Sequence, residues 1–424
     1  MSNSKTFSPN GIEGINIVVR PFDGAEIFIT ENVISFSIFE SIFSPFLFGK
    51  LQLIDNSAML STMPFIGQEQ IVFQWERNDE IIEKVFYTTG IENVVPQIDS
   101  RAVYEIGITT EAQFRNASSL LSRSYTLSPN QIVSTIYSEF IGENLITDIE
   151  SDLTYNVVFP YMKPFQAINT VLKSSLAGDQ TPMFLFDRFY EDSSQSVILT
   201  SYAKMFDQEP IVELSPKKVI NNIAERDQPI EAYQVYTYNI LKAFKTLDQI
   251  SNGAYSATQR TFDISNKNGA VDQDFYFKDL APNPGNEWIK ETFEFDKSVS
   301  RRVNTIQDSL AFDNNLSNLY DIDTNTSLII KSFMNRFSSI VIDASINPIA
   351  YTVEDGEAFA VGKTVDFSVP NFLPASESLK RDNFKNKILS GKYLITSIRH
   401  QMSGREYTMS IELSRDFIGE ESIL

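Results

Sequence analysis

The sequence predicts an α+β protein that is mainly β, in which two similar antiparallel β-barrels, related by internal duplication, accompany α+β insert domains. Three observations predict this architecture. Apolar and polar residues alternate through most of residues 15–109, apolar residues recur at helical spacing after residue 128, and a strand pattern from the first block returns near the C-terminus.

The first block contains seven short segments in which apolar residues alternate with period two, the spacing of strands that bury one face. Turn-forming pairs such as Asp23-Gly24, Asn78-Asp79 and Asp99-Ser100 separate the segments. The predicted strands cover residues 15–19, 27–30, 34–39, 47–54, 71–75, 82–88 and 103–109. Seven consecutive short strands are typical of a barrel or a sandwich.

Helical patterns follow this block. A helix is predicted to begin at Pro129 with Ser128 as its N-cap, because apolar residues follow at a spacing of four. A second helix is predicted to begin after Pro164 and to stop by Gly178, ahead of a strand over 183–187.

The later part of the chain gives weaker patterns. Residues 251–287 are rich in Asn, Asp, Gly and Pro, so long surface loops are expected there. Asp323 or Thr324 is predicted to cap a helix, and short strands resume from Ser339. The predicted helix carries the apolar residues Leu328, Ile329, Phe333 and Phe337.

A repeat indicates the duplication. The segment VYEIGITTEAQF near the end of the first block resembles EYTMSIELSRDF near the end of the last. Its apolar residues Tyr104, Ile106, Ile108 and Phe114 correspond to Tyr407, Met409, Ile411 and Phe417 at a constant offset of 303. Upstream, the segment from Gly67 matches the one from Gly362 with a slip of one residue. Any two amphipathic strands match at alternate positions, but the shared register through the terminal Phe favours duplication.

These patterns predict four parts of the chain. Residues 1–122 form the first barrel and residues 419–424 a C-terminal tail. Residues 123–206 with 241–334 form the α+β insert region, and residues 207–240 with 335–418 form the second barrel.

Composition excludes several classes of protein. The 424 residues include 35 basic and 55 acidic side chains, a formal net charge of −20, so a broad basic surface for nucleic acid phosphates is not expected. No apolar run is long enough to span a membrane, and the N-terminus has no export signal, so we expect a soluble protein made in the cytoplasm. The absence of cysteine excludes disulfides and thiolate chemistry.

The sequence gives no catalytic, cofactor or metal site. Phosphate loops, dinucleotide fingerprints and nucleophile elbows are absent. The string from Asp321 to Asn325 resembles the start of a calcium loop, but Thr326 and Ser332 stand where Gly and Glu are required, which favours helix capping. The single histidine, His400, lies in a predicted strand without an obvious acidic partner, so we expect packing or hydrogen bonding. We therefore expect that the protein is not an enzyme. The sequence alone does not rule out a pair of catalytic carboxylates, because two such residues need only be near each other in the folded chain.

Two segments are predicted to contact other subunits or partners. The apolar stretch FESIFSPFLFGKLQLIDN contains Phe43, Phe46 and Phe48 before a barrel strand. The region between Pro370 and Gly391 reads as a long loop. Basic and aromatic residues cluster in it within an otherwise acidic protein, namely Phe372, Lys380, Arg381, Phe384, Lys385 and Lys387. This loop could dock on an acidic neighbour, or it could simply be solvated.

Three segments together resemble the central baseplate hub protein of contractile, T-even-like phage tails, which is similar to the hub part of VgrG-type spikes. They are FESIFSPFLFGKLQLIDNSAML with PFIGQEQIVFQW, then FPYMKPFQAINTVLKSSLAGDQTPMFLF, then SGKYLITSIRHQMSGREYTMSIELSRDF. These segments are strand and helix patterns rather than catalytic signatures. Their order along the chain carries the resemblance, and residues 241–320 look like a less constant insertion.

The resemblance implies a homotrimer in which three pairs of barrels form a ring with pseudo-sixfold symmetry. Such a ring adapts a trimeric central spike to a sixfold tail tube, touches other baseplate wedge proteins, and lets DNA pass through its lumen without specific binding. It implies a virion protein of the tail baseplate, assembled in the host cytoplasm, with no membrane partner. The chain ends soon after the second barrel, so the spike is expected to be a separate polypeptide.

Two alternatives remain. A tail-associated peptidoglycan hydrolase would need a carboxylate site that the sequence does not show. A VgrG-like hub of a contractile secretion or injection system would share the same residues.

Overall fold

The computed structural model describes residues 15–22, 25–56, 67, 69–77, 80–97, 101–150, 154–191, 196–216, 234–263, 271–276, 300–307, 326–346, 358–370, 385–386, 388–404 and 406–415. The strands are β1 Ile15–Arg20, β2 Ile27–Phe28, β3 Val33–Ser41, β4 Phe48–Asp55, β5 Gln70–Arg77, β6 Glu80–Pro96, β7 Ala102–Thr109, β8 Leu121–Leu127, β9 Leu145–Thr147, β10 Tyr155–Met162, β11 Met183–Asp187, β12 Val197–Ser201, β13 Glu213–Pro216, β14 Gln234–Ala243, β15 Ser256–Asp263, β16 Val271–Tyr276, β17 Arg302–Gln307, β18 Ile340–Ile346, β19 Thr364–Phe367, β20 Gly391–Ser403 and β21 Glu406–Arg415. The helices are α1 Glu111–Ser118, α2 Pro129–Phe140, α3 Pro164–Ser174, α4 Tyr202–Asp207, α5 Thr246–Ser251 and α6 Thr326–Phe337.

The first seven strands form one antiparallel sheet in the order β3-β4-β7-β6-β5-β1-β2, as the alternating pattern predicts. Their alternate apolar residues face a common core. The strand predicted over 27–30 stops at Phe28, because Thr30 opens a 3₁₀ turn and its hydroxyl oxygen accepts a hydrogen bond from the Ile17 N–H at 2.9 Å.

The segment from α1 to α4 adds a second, mixed core built on α2 and α3. Both helices begin at the predicted prolines. The side chain of Gln131 accepts a hydrogen bond from the Ser128 N–H at 3.3 Å, which supports the predicted start. The second helix ends at Ser174, before the predicted stop at Gly178, and the predicted strand follows as β11.

The expectation of long surface loops over 251–287 is wrong for two segments. β15 pairs with β16 in antiparallel and with β17 in parallel orientation, and this small sheet packs on α6. These strands are rich in polar residues because their core is small, so their alternation is weak in the sequence. The predicted apolar helix is α6, and its predicted cap at Asp323 or Thr324 lies outside the described residues.

The remaining strands form a closed six-strand barrel in the order β13-β14-β18-β21-β20-β19, because β19 pairs with both β20 and β13. This order repeats that of the first sheet without β2. In the repeat, β3-β4-β7-β6-β5-β1 corresponds to β14-β18-β21-β20-β19-β13. The expected β-rich α+β fold is therefore confirmed, with one closed barrel and a repeated strand order, and we keep the name first barrel for the first sheet. The two sheets differ in closure. β13 pairs in parallel with both β19 and β14, whereas β1 pairs in antiparallel with β5 and, among the described residues, has no pairing with β3.

The register supports the predicted repeat. Ile106 faces Leu51 in the first barrel, and Met409, at the predicted offset, faces Ile346 in the second. Phe417, the last residue of the predicted match, lies outside the described residues. The domain boundaries stay a prediction, and β14 continues past the predicted boundary at 240 to Ala243.

The two barrels share one sheet. β3 of the first barrel pairs in antiparallel orientation with β20 of the second, from Ser35 opposite Ser403 to Ser41 opposite Ser397. We call this pairing the seam. The strands β14-β18-β21-β20-β3-β4-β7-β6 then form a continuous arrangement that we call the eight-strand layer.

Candidate assembly surface

The eight-strand layer has one polar face. Along each strand, alternate residues pack into the barrel cores, so the residues between them point away from the cores. On the seam strands these outward residues include Ser35, Ser37, Ser397, Arg399 and Gln401, and none of them is buried. A face of small hydroxyl and amide side chains offers hydrogen bonds to water and little apolar contact.

The charges on this face are mostly acidic. Glu92, Glu105, Asp343 and Glu412 are partly or fully exposed there. Lys50 contributes a positive charge, and its Nζ lies 3.5 Å from Glu92 Oε2 and 3.6 Å from Glu105 Oε2. Exposed ion pairs of this kind contribute little stability, so the side chains remain available to solvent and ions.

One aromatic pair interrupts the polar face beside the seam. Phe39 and Phe48 stack with ring centroids 5.2 Å apart, and the guanidinium of Arg399 lies 5.3 Å from the Phe39 ring centre. Phe48, one of the three phenylalanines of the stretch before β4 that are predicted to make contacts, remains 47% exposed. It therefore keeps a free aromatic surface.

The other two predicted aromatic residues lie elsewhere. Phe43 is 53% exposed, and its ring contacts Phe184 of β11 and Phe337 of α6. Phe46 is half-buried and stacks on Phe165 of α3 at 5.8 Å. The segment thus joins the first barrel to three other elements, and the structure does not bring its phenylalanines into one patch. Their role in subunit or tube contacts stays a prediction.

The predicted basic loop is described only in part. Lys380, Arg381, Phe384, Lys387 and Phe372 lie outside the described residues. Lys385 forms an isolated β-bridge with Pro370. Its Nζ lies 2.6 Å from Glu213 Oε1, and both side chains are more than half exposed.

Burial, together with the nearby Glu213 charge, raises the pKa of Asp366 on β19.

Beneath the seam, residues 186–190 (FDRFY) connect the insert region to both barrels. We call them the docking segment. Asp187 accepts a hydrogen bond from Lys84 Nζ of β6 at 2.7 Å, in an ion pair that is almost fully buried. Arg188 donates to the Val361 carbonyl of the second barrel at 3.1 Å. The segment therefore holds each barrel with a polar contact.

The docking segment also reaches the single histidine. The Phe189 N–H donates to Glu40 Oε2 at 3.0 Å, and Glu40 Oε1 lies 2.9 Å from His400 Nε2. The other ring nitrogen of His400 lies 2.8 Å from the Tyr407 hydroxyl, which shares a hydrogen bond with the Tyr190 hydroxyl. Glu40 on β3 and His400 on β20 thus form a polar pair across the seam.

All members of this cluster are buried. Burial raises the pKa of Tyr407 well above its usual value, with the Tyr190 hydroxyl and the Glu40 carboxylate adding to the effect. A histidine, a carboxylate and a phenol are groups that general acid–base catalysis uses. Here each of them forms a hydrogen bond to another buried side chain or to a backbone group. The expectation that His400 is hydrogen-bonded is confirmed, and its acidic partner is 360 residues distant.

This cluster was not predicted, although the sequence contains a pattern that indicates it. Glu40 follows Phe36 and Ile38 at period two, so its position belongs to the core face of β3. Lys84 stands in the same way between Ile82 and Phe86. A charge in phase with core residues indicates a buried polar partner.

Among the described residues, no group of three or more His, Cys, Asp or Glu side chains could hold a metal ion. Within the same part of the chain, no helix has the length and apolar character of a membrane span.

Comparison with known proteins identifies similar folds but no related sequence. No family model matches the sequence, and no curated protein matches it. The tail protein from Neisseria meningitidis MC58 aligns with a TM-score of 0.57 and 9% identity, over 96% of this chain and 98% of that one. The 43 kDa tail protein of prophage MuSo2 from Shewanella oneidensis aligns with a TM-score of 0.54 and 10% identity, over 95% and 98% of the two chains.

The chain has a phage tail protein fold. The fold expected from the resemblance is therefore confirmed, over nearly the whole length of both tail proteins. The E. coli c3393 protein, a component of the type VI secretion system, also aligns, with a TM-score of 0.47 over 92% of this chain and 74% of its own.

Proposed function

We propose that this chain is the structural hub of a contractile phage tail baseplate, and that three copies form a ring with pseudo-sixfold symmetry. The observation that carries the proposal is the duplicated strand order within one continuous sheet. Two equivalent barrels placed side by side in each chain allow three chains to present six similar units. The tail protein fold supports the same role.

In this proposal the ring adapts a trimeric spike to a sixfold tail tube and contacts other baseplate proteins. The polar face of the eight-strand layer lines the lumen, where acidic groups such as Glu412 and Asp343 would repel passing DNA phosphates. The chain would belong to the virion and would be assembled in the host cytoplasm. It would act by assembly and not by catalysis.

Mass photometry and analytical ultracentrifugation of the purified protein test the ring. We expect a homotrimer, or a trimer that forms on addition of the spike protein. Negative-stain images viewed along the axis should show six similar densities around a channel. A chain that stays monomeric with both the spike and the tube protein present would contradict the proposal.

A DNA-binding measurement tests the lumen. Fluorescence anisotropy of a short duplex is expected to show no binding by the wild-type protein at about 0.15 M salt, because the net charge and the polar face repel phosphates. The Asp343→Lys/Glu412→Lys double variant should bind the duplex measurably. Equal behaviour of the two proteins would count against a lumen on this face.

The alternatives have their own assays. Clearing of purified cell walls that a single Asp or Glu substitution abolishes would establish a tail-associated peptidoglycan hydrolase instead. A VgrG-like hub of a secretion or injection system shares the ring, and neighbouring genes for sheath, tube and virion proteins distinguish the two.

A further inference from the structure

The ion pair between the docking segment and the first barrel is shielded from water. Lys84 Nζ lies 2.7 Å from Asp187 Oδ1, and the two side chains are only 1% and 3% exposed. Removing an ammonium and a carboxylate from water costs free energy, which their mutual attraction regains only in part. A reaction that removes both charges would therefore be favourable at this site.

The surroundings of the pair are apolar. Phe73 lies opposite Lys84 in the pairing of β5 with β6, Phe86 follows Lys84 by two residues, and Phe189 follows Asp187 by two. The three rings pack on one another with centroids 5.5, 5.7 and 6.2 Å apart, and none of them is exposed. Water, which would hydrate the charges or hydrolyse an amide, has little access to such a site.

An exposed pair of nearly the same length provides a contrast within the chain. Lys385 Nζ lies 2.6 Å from Glu213 Oε1, but these side chains are 59% and 56% exposed. Water solvates both charges there, so removing them brings little gain. The two lysine–carboxylate pairs thus differ in burial and not in distance.

We propose that Lys84 and Asp187 form an intramolecular isopeptide bond in the folded protein. The Lys84 ammonium first passes a proton to the Asp187 carboxylate, which gives an amine and a carboxylic acid. Nζ then attacks Cγ, a C–N bond forms, and the nitrogen gives a second proton to the acid oxygen. The C–O bond breaks and that oxygen leaves as water. One ammonium and one carboxylate thus become one neutral amide and one water, with no further reactant.

The geometry of the pair favours this attack. Cγ is one bond beyond Oδ1, so Nζ lies within about 3–4 Å of it, close to the separation at which held reactants combine. Lys84 lies on β6 and Asp187 ends β11, so both backbones are fixed by strand pairing. The newly folded chain contains the ion pair, and the bond forms from it with time.

The bond would fasten the docking segment to the first barrel covalently. It links residues that are 103 positions apart, and so it joins β6 to the insert region. The connection would persist when the noncovalent contacts between them open. The reaction occurs within one chain, so it does not depend on the proposed ring.

The intact mass of the denatured full-length protein tests the bond. Freshly purified protein is compared with protein that has aged for several days in its folded state. We expect a growing fraction with a mass about 18 Da below that of the sequence, the mass of one water. Tryptic digestion of this fraction should give two peptides joined between Lys84 and Asp187, with no cleavage after Lys84.

Three variants provide the controls. Lys84→Arg keeps the positive charge, but a guanidinium stays protonated and does not attack a carboxyl group. Asp187→Ala removes the carboxyl group. Both variants should keep the mass of their sequences on ageing. Lys385→Arg changes the exposed pair, and it should lose water as the wild type does.

The wild-type protein alone can overturn the proposal, whether or not the variants fold. A wild-type mass that stays equal to that of the sequence after ageing would do so. A loss of water that maps to other residues, or that persists in Lys84→Arg, would overturn it as well. A junction between residues 84 and 187 that is present in Lys385→Arg and absent from Lys84→Arg supports it.

Discussion

The two barrels share a strand order but use one equivalent core position differently. Tyr104 of the first barrel and Tyr407 of the second are related by the repeat. The buried Tyr104 hydroxyl has no hydrogen-bond partner among the described residues, whereas the Tyr407 hydroxyl bonds to His400 and Tyr190. The two barrels thus share a strand order but differ in the hydrogen bonding of this interior position.

A second equivalent position shows the same independence. Gly49 on β4 corresponds to Ala344 on β18 through the register of the two sheets. A Cβ added at Gly49 would lie 2.5 Å from the Ser37 carbonyl oxygen, so β3 and β4 are too close there for a methyl group. The second barrel accommodates that methyl. Four measurements of stability test these differences.

The largest effect is expected from the ion pair that attaches the docking segment to the first barrel. Lys84→Met would leave the buried Asp187 carboxylate without its cation, lowering the free energy of unfolding by about 3–5 kcal/mol. The midpoint of urea unfolding measures the loss. The Lys84→Met/Asp187→Leu variant leaves no buried charge at this pair of positions, and most of the stability should return. Equal midpoints for Lys84→Met and the wild type would show that the pair does not fasten the segment.

The next effect concerns the close approach of β3 and β4. Gly49→Ala is expected to lower the free energy of unfolding by about 1–3 kcal/mol, because the new methyl would meet backbone atoms. The counterpart Ala344→Gly should cost only about 0.5–1 kcal/mol through chain entropy. Thermal unfolding of both variants compares the barrels directly, and a smaller loss for Gly49→Ala would reverse the expected order.

Removing the hydroxyl from the equivalent tyrosines is expected to have a smaller effect, and here the second barrel should lose more stability than the first. Tyr407→Phe would remove the hydroxyl that bonds to His400 and Tyr190, lowering the free energy of unfolding by about 1–2 kcal/mol. Tyr104→Phe should be neutral or slightly stabilising, because it removes a buried hydroxyl without a described partner. Urea unfolding of the two single variants suffices. Equal losses would mean that the two interiors are energetically alike.

The smallest effect is a dependence on alkaline pH. The pKa of Tyr407 is raised in the folded protein, so its contribution to stability is complete below pH 10 and is lost as the pH rises above it. In that range the unfolded phenol ionises while the folded one stays protonated. The difference in the free energy of unfolding between the wild type and Tyr407→Phe should therefore narrow as the pH rises from 8 to 10.5, by at most about 1 kcal/mol. Urea unfolding at pH 8 and pH 10.5 measures it, and a constant gap would contradict the assigned cause.

Period-two alternation predicted the first seven strands, because alternate residues of these strands pack on a core. The strand 183–187 was predicted without such alternation, and all five of its residues are buried. The strands β15 and β16 were missed because their residues are mostly polar around a small core. Alternation also reports which face a residue occupies but not which strand lies opposite. For that reason the sequence placed His400 in a strand yet could not supply Glu40 as its partner.

The candidate surface was predictable to a lesser degree. The phenylalanines around Pro45 were identified from their apolar run, but that run does not reveal that Phe46 stacks on a helix of the insert region while Phe48 faces outward. Those directions depend on a kink and on distant elements. The pairing of β3 with β20 emerges only from the strand order, which sequence alone does not fix.

The two strands of the seam leave the ribosome at very different times. β3 is made early, yet its partner β20 and the histidine that bonds to Glu40 follow about 360 residues later. At roughly 5–20 residues per second, a nascent chain waits about 20–70 s with the edge of β3 uncovered. Contacts of such long range form late in folding. The last strands to leave the ribosome are thus the ones that protect the first, and a chain truncated before them would expose that edge to its neighbours.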